Sequence, residues 1–137
     1  MNHLHHELHF LPILVCALIV WLLGALWYSP VLFAKPWMEL VNCTPEQMKA
    51  AMPKALLADV IGTFIQAFVL VHAVHYAGAD SIGLGAAVGF LNWLGFIAVT
   101  TLAITIYEKK PFKLFFINNG FQLLSLLIMG AIVAVWV

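Results

Sequence analysis

The chain has 137 residues, of which 64% are hydrophobic and only 9% are charged, and its mean hydropathy is +1.03. Water-soluble domains are nearer half apolar and a quarter charged, so this composition excludes an ordinary soluble domain and indicates the lipid bilayer as the solvent. The formal net charge is +0 at pH 7, so the chain lacks the overall positive charge with which proteins bind nucleic acid. At roughly 20 residues per span, the length allows about four spans and no separate catalytic domain. We therefore predict a single membrane domain over residues 1–137.

Four apolar stretches, bounded by charged residues and turn formers, are long enough to cross a membrane: residues 10–28, 55–77, 82–106 and 114–136. We expect each to form a transmembrane helix, so the predicted fold is all-α, a bundle of four membrane helices. The first stretch could also be a signal peptide, but no Lys or Arg precedes it and it ends on Trp27 and Tyr28 instead of a small-residue cleavage site. We interpret it as a retained helix.

Every lysine of the chain lies in one of two predicted loops, residues 29–54 and 107–113, and the chain has no arginine. The N-terminal segment, the link between the second and third spans, and the C-terminus contain neither residue type. Short loops rich in lysine stay on the cytoplasmic side of a membrane. We therefore predict that both loops are cytoplasmic and that both termini face outside.

The first loop contains a start signal for a helix. Thr44 is a typical N-cap, Pro45 suits the first helical position, and Gln47 completes a capping box three residues after Thr44. Pro53 is expected to end this helix before the second span, because proline disrupts a helix interior. We predict a short amphipathic helix in this loop, which lies on the inner membrane surface.

Polar side chains occur at a matching depth on the spans. Asp59, Thr63 and Gln66 share one side of the second span, and Asn118 and Gln122 share one side of the fourth. Hydrogen bonds between helices would account for them without any ligand. Their number also fits a polar cavity in the cytoplasmic half of the bundle, to which we assign Asp59, Thr63, Gln66, Asn92, Thr101, Asn118, Asn119 and Gln122.

Asp59 admits two interpretations. It lies about 7 Å along the helix axis from Lys54, so it can be an interfacial acid that favours the positive N-terminal end of its helix. A carboxylate buried deeper costs several kcal/mol and is then functional, as a binding group for a cation or a proton. The sequence leaves both interpretations open.

Gly85 and Gly89 lie four residues apart on the third span. Small residues at this spacing let two membrane helices approach closely. The partner can be a helix of the same chain or of a second subunit, and the spacing does not separate the two.

All six histidines lie at the predicted outer end, four before the first span and two near the end of the second. His5 and His9 are four residues apart and His72 and His75 three apart, spacings at which two imidazoles can share a metal ion. Zinc, copper or haem binding and pH sensing are hypotheses for these residues. The alternative is an interfacial segment with no specific chemistry, and no other cofactor is expected.

Residues 24–38 carry the sequence GALWYSPVLFAKPWM, and related features follow at residues 93–96 and 108–120. These blocks resemble the bacterial family called domain of unknown function 1761, over nearly the whole chain. The resemblance implies a small polytopic protein of the bacterial cytoplasmic membrane and brings no activity with it. The motif residues that we place at the membrane interface are Trp27, Tyr28, Pro30, Lys35 and Trp37.

No phosphate-binding loop, nucleophile elbow, HExxH or CxxC motif is present, so we do not expect an enzyme. We expect a homo-oligomeric transporter, channel or small-solute-binding protein that uses the polar cavity. A symmetric dimer is the simplest oligomer. One alternative is a structural or accessory subunit that docks on a larger membrane complex through its glycine face and aromatic loop. A weaker alternative is a metal- or haem-binding protein that uses the outer histidines.

The predicted topology can be tested with a reporter enzyme that is active only in the cytoplasm. Fused to the C-terminus, the reporter should be inactive, because the chain is predicted to end outside. Strong reporter activity in cells would contradict the orientation.

Overall fold

The computed structural model describes the backbone of residues 2–136 and the side chains of residues 10–136. This part of the chain is all-helical and contains no strand, which confirms the predicted fold class. The helices in chain order are α1 (Asn2–Trp27), α2 (Ala34–Leu40), α3 (Pro45–Ala77), α4 (Ile82–Asn92), a π-helical segment (Trp93–Ala98), α5 (Val99–Tyr107) and α6 (Phe112–Val135).

Four helical stretches are long and apolar enough to cross a membrane: Phe10–Trp27, Pro45–Ala77, Ile82–Tyr107 and Phe112–Val135. They correspond to the four predicted spans. Residues 28–44 and 108–111, which connect helices, lie at the same end of the bundle, which we call the loop end. The opposite end holds the link 78–81, and we call it the terminal end.

The helix predicted to start at Thr44 is the beginning of α3. The side chain of Thr44 accepts a hydrogen bond from the backbone N–H of Gln47, and the Gln47 side chain accepts one from the backbone of Thr44, so the capping box is present. The prediction that Pro53 ends this helix is wrong, since Pro53 lies inside α3. Residues 51–61 are exposed, so a carbonyl that loses its partner at the proline can be solvated.

Helix α3 is longer than a membrane span requires. Its 33 residues extend about 50 Å, against a hydrocarbon core of about 30 Å. Its first turns therefore project beyond the bundle at the loop end, and the short helix of the first loop is α2, which precedes α3.

A tight link joins α3 to α4 at the terminal end. Gly78 ends α3 in the left-handed conformation with φ of 67°, which glycine adopts without steric cost. The side chain of Ser81 then caps α4 by accepting a hydrogen bond from Leu84 N. The link leaves α3 and α4 adjacent at this end.

Helices α4 and α6 are packed at backbone contact. A Cβ added at Gly89 would overlap the carbonyl oxygen of Leu126, and one added at Gly85 would overlap the carbonyl oxygen of Gly130. Gly130 is equally close to Gly85 in return. The glycine spacing therefore serves packing within the chain, which is one of the two alternatives that the sequence left open.

The apolar core lies between α1, α3 and α6. It contains Cys16 and Val20 of α1, Leu70 and Val74 of α3, and Met129 of α6. Both Cys16 and Met129 have no exposed surface, and the thiol of Cys16 donates to the carbonyl oxygen of Met129 at 3.9 Å. Helix α6 therefore contacts α4 on one side and α1 and α3 on the other.

Substitution of Gly89 by alanine tests the close contact. Gly89→Ala should lower the free energy of unfolding by about 1–3 kcal/mol, because the added methyl group forces α4 and α6 apart. Reversible unfolding in detergent measures this loss.

Gly62→Ala is the matched control, since Gly62 also lies within a spanning helix and its added Cβ would have no atom within 4 Å apart from the adjoining residues and backbone of its own helix. It should be neutral, or stabilising by up to about 1 kcal/mol through helix propensity. Equal losses in the two variants would contradict the packing role.

Candidate ligand-binding cleft

An open cleft of about 560 Å³ lies towards the loop end of the bundle. Helix α6 forms one wall, and the π segment and α5 form the other. Tyr28 after α1, Gln66 of α3, and Glu108 and Lys110 after α5 complete it. The lining residues are Tyr28, Gln66, Ile97, Thr101, Ile104, Thr105, Glu108, Lys110, Leu114, Phe115, Asn118, Asn119 and Gln122.

The deep end of the cleft is closed by a pair of amides. The Nε2 of Gln66 on α3 donates a hydrogen bond to the Oε1 of Gln122 on α6 at 3.2 Å. Such an interhelical bond is worth about 0.6 kcal/mol in a membrane protein. The pair therefore fixes the depth at which α3 meets α6 more than it stabilises the bundle.

Asn119 is the most fully bonded amide of the cleft. It is 5% exposed, and its Nδ2 donates to the carbonyl oxygen of Phe115 at 2.9 Å. The Thr101 hydroxyl lies 2.8 Å from its Oδ1 and 2.6 Å from the carbonyl oxygen of Ile97. One hydroxyl proton can serve only one of these acceptors, so Thr101 links α5 either to α6 or to its own helix.

The π segment positions an aromatic residue beside this cluster. The indole N–H of Trp93, the first residue of the segment, donates to the backbone carbonyl oxygen of Asn119 at 2.9 Å. A π turn adds a residue to the helical repeat and so changes which residues of the third span face α6 beyond it. Ile97 and Thr101 line the cleft after this turn.

Tyr28 lies at the open edge, just past the spanning part of α1. Its hydroxyl donates to the Oδ1 of Asn118 at 2.8 Å. Burial, and after it the negative charge of Asp59, raise the pKa of the Tyr28 phenol to about 12. Tyr28 therefore remains a neutral hydrogen-bond donor at any physiological pH.

The aromatic motif holds the end of α1 against the start of α6. The indole N–H of Trp27 donates to the carbonyl oxygen of Ile117 at 2.9 Å. Its ring packs against Phe33 and Phe121, with centroids 4.8 Å and 6.3 Å away. Gly120 provides the space, because a Cβ there would lie 3.3 Å from the Trp27 ring.

The remaining motif residues lie further out at the loop end. The ring of Trp37 on α2 meets that of Tyr28 edge to face, with centroids 6.0 Å apart. Pro30 and Lys35 are exposed. The predicted aromatic loop is thus folded back on the bundle through its tryptophans, and its proline and lysine are left on the surface.

Five of the eight residues assigned to a polar cavity line the cleft: Gln66, Thr101, Asn118, Asn119 and Gln122. The other three do not, and their assignment is corrected here. Asp59 is exposed on α3, Thr63 is buried at 8% exposure, and the amide of Asn92 donates to Val88 of its own helix at 2.8 Å.

The course of α3 accounts for the position of Asp59. Gln66 reaches α6, but residues 49–61 of α3 are exposed, so α3 leaves the bundle towards the loop end. Asp59 therefore lies near the mouth and not within the cleft. Because α3 begins at Pro45 and continues through Pro53, Asp59 is too far from the positive N-terminal end of the helix to be stabilised by it.

The sequence reasoning missed two charged residues of the cleft, Glu108 and Lys110. Both follow α5 directly, and Lys109 between them has φ of 56°, so the chain reverses sharply there. A signal was present in the sequence, because Glu108 follows Thr105 by three residues and would share its helix face if the helix continued past the predicted end at residue 106.

His72 and His75 lie outside the cleft. His72 lies on α3 near the terminal end, and its Nδ1 is 2.7 Å from the carbonyl oxygen of Phe68. Residues 10–136 contain no group of three or more His, Cys, Asp or Glu side chains placed to hold a metal ion. The predicted partners His5 and His9, with His3 and His6, lie outside the described side chains.

Comparison with known families identifies the chain. A family model described as "Protein of unknown function (DUF1761)" matches residues 11–134. The chain belongs to the DUF1761 family. No curated protein and no solved structure matches it. In this DUF1761 chain, Trp27, Tyr28 and Asn118 belong to the sequence blocks that carry the family resemblance, and all three form contacts at the edge of the cleft.

The bond between Tyr28 and Asn118 can be measured with a double-mutant cycle of Tyr28→Phe and Asn118→Leu. We expect a coupling free energy of about 1 kcal/mol, because each single variant removes the same interhelical hydrogen bond. Unfolding in detergent gives the four free energies.

Tyr107→Phe is the control, since Tyr107 is 87% exposed at the same end of the bundle. Paired with Asn118→Leu, it should show no coupling. If the free-energy changes of Tyr28→Phe and Asn118→Leu simply add in the double variant, this bond does not contribute to stability.

Proposed function

We propose that this chain is a non-enzymatic membrane protein that binds a small ligand through the polar groups of the cleft. The observation that carries the proposal is that polar side chains from different parts of the chain converge on one cleft. Tyr28 directly after α1, Gln66 of α3, Thr101 of α5 and Asn118 of α6 lie in or next to the four different spans and line one open cleft of about 560 Å³. This volume is within the range of pockets for small molecules.

The hydrogen bonds within the cleft leave polar groups for a ligand. Asn118 and Gln122 each use their side-chain oxygen to accept one bond from the protein. Among residues 10–136, the Nδ2 of Asn118 and the Nε2 of Gln122 have no hydrogen-bond partner. These N–H groups are donors at the surface of the cleft, so the site favours a ligand that carries acceptor oxygens.

We propose that the ligand bound in this cleft is transported across the membrane. Four helices rarely enclose a complete pathway, so passage of a solute requires a homo-oligomer, with a dimer as the simplest arrangement. The lysine distribution supports a cleft that opens towards the cytoplasm in the bacterial cytoplasmic membrane, with both termini outside.

Two surfaces that would support the alternative of an accessory subunit are used within the chain. Gly85 and Gly89 are covered by α6. The aromatic residues Phe33 and Trp37 of the loop pack against Trp27 and Tyr28, which are hydrogen-bonded to α6. The metal or haem alternative depends on histidines of which four lie outside the described side chains. No specific observation favours either alternative over ligand binding.

A panel of polar compounds tests the proposal: ethanolamine, phosphoethanolamine, glycine betaine and glycerol, which differ in charge. A compound present at ten times its Kd adds about 1.4 kcal/mol to the stability of the folded chain. We expect at least one of these compounds to raise the melting temperature of the detergent-solubilised protein, and Gln122→Leu to abolish the increase.

Asn92→Leu is the matched control, since Asn92 is an amide of a spanning helix that lies outside the cleft. This variant should retain the increase in melting temperature. The proposal fails if no compound stabilises the wild type, or if the stabilisation is the same in Gln122→Leu.

A further inference from the structure

The cleft is open sideways, within the membrane, as well as at the loop end. Helices α3 and α4 are adjacent at the terminal end, but α3 and α5 share no extensive contact in the described part of the chain. Residues 51–61 of α3 and residues 102–104 of α5 are exposed. The two helices therefore diverge on either side of α6 and leave a gap between them. The exposed side chains of Leu57, Ile61 and Ile104 are apolar, as expected beside lipid.

The cleft is lined by both polar and apolar side chains. Helix α6 contributes Leu114 and Phe115 as well as its amides, and α5 contributes Ile104. Ile104 is 49% exposed and so extends from the cleft to the outer surface of the bundle. A ligand that fills the whole cleft must therefore carry both polar atoms and hydrocarbon.

One residue of each charge sign lines the mouth of the cleft, and the acid Asp59 lies near it. Glu108 and Lys110 both line it, and no salt bridge joins them in the described part of the chain. Each charge is therefore open to a ligand group of opposite sign. A ligand with a cationic and an anionic group a few atoms apart would pair with both.

We propose that the ligand is an amphiphile of the phospholipid type whose headgroup contains a primary ammonium and a phosphate, as phosphatidylethanolamine does. The proposal rests on the proposed function, because it names the ligand of the same cleft. The ammonium pairs with Glu108, the phosphate pairs with Lys110, and the acyl chains leave between α3 and α5.

The depth of the polar groups fits this arrangement. Asn118 lies about 10 Å along α6 from Pro111, near Lys110, and Gln122 lies about 16 Å away. The ester carbonyls of a phospholipid lie deeper than its phosphate, and they are acceptors. The Nδ2 of Asn118 and the Nε2 of Gln122 are the donors that face them.

Native mass spectrometry of the full chain in a neutral detergent tests the proposal. The probes are phosphatidylethanolamine, phosphatidylcholine and phosphatidylglycerol with the same acyl chains, and glycerophosphoethanolamine, which has the headgroup alone. Phosphatidylethanolamine should bind at least about tenfold more tightly than glycerophosphoethanolamine, because its chains are partly buried. It should bind about fivefold more tightly than phosphatidylglycerol, which lacks the ammonium, or than phosphatidylcholine, whose ammonium has no N–H.

Two pairs of variants locate the headgroup. Glu108→Gln should remove the preference for phosphatidylethanolamine over phosphatidylglycerol, whereas Glu46→Gln, an exposed acid outside the cleft, should leave it unchanged. Lys110→Gln should weaken all three phospholipids, and Lys113→Gln, an exposed lysine at the same end, should not. All four positions are exposed, so folding is retained.

The outcomes separate this inference from the proposed function. Equal affinity for glycerophosphoethanolamine and phosphatidylethanolamine would overturn the amphiphile and leave a polar solute as the ligand of the cleft. The inference would also be overturned if the three phospholipids bound equally and Glu108→Gln had no effect, because lipid that binds non-specifically gives this result. Absence of binding by every one of these probes would overturn this inference, whereas the proposed function fails only by the criteria of the soluble panel.

Discussion

The backbone contact between α4 and α6 is the constraint on which the rest of the bundle depends. Gly85, Gly89 and Gly130 have no side chain to separate the two helices, so dispersion contacts and packing replace the hydrophobic effect that lipid cannot supply. With α4 held on one side, α6 is left to contact α1 and α3 on the other. Helix α6 therefore becomes the central element, and any site shared by the spans must lie against it.

Because α6 is central, polar groups from the other helices find their partners on it. Trp27 and Trp93 donate to the carbonyl oxygens of Ile117 and Asn119, which lie two residues apart on α6. In a bilayer no water is available to satisfy such groups, so a missing partner costs more than in a soluble protein. These bonds also explain why α1 and the third span approach α6 at the depth of the amides, and hence why the cleft is polar.

The divergence of α3 and α5 gives the cleft its chemistry. Gln66 still reaches Gln122, but one or two turns closer to the loop end α3 no longer touches the bundle. The gap leaves donors on α6 facing a space that opens both to the headgroup layer and to the hydrocarbon. In a closed four-helix bundle, the same amides would have formed hydrogen bonds with one another and left no donor for a ligand. The proposed binding of an amphiphile follows from this departure from a closed bundle.

The sequence by itself determined the four spans, the lysine asymmetry, the capping box at Thr44 and the likeness to the DUF1761 family, because hydropathy, charge and capping depend on residues close together in the chain. It also identified five of the cleft residues from their common depth. Only the tertiary structure decided that α3 continues through Pro53, that Asp59 stays outside the cleft and that Glu108 and Lys110 belong to its mouth. These outcomes depend on where whole helices converge or diverge, and that is set by contacts such as the glycine packing of α4 on α6, between residues far apart in the chain.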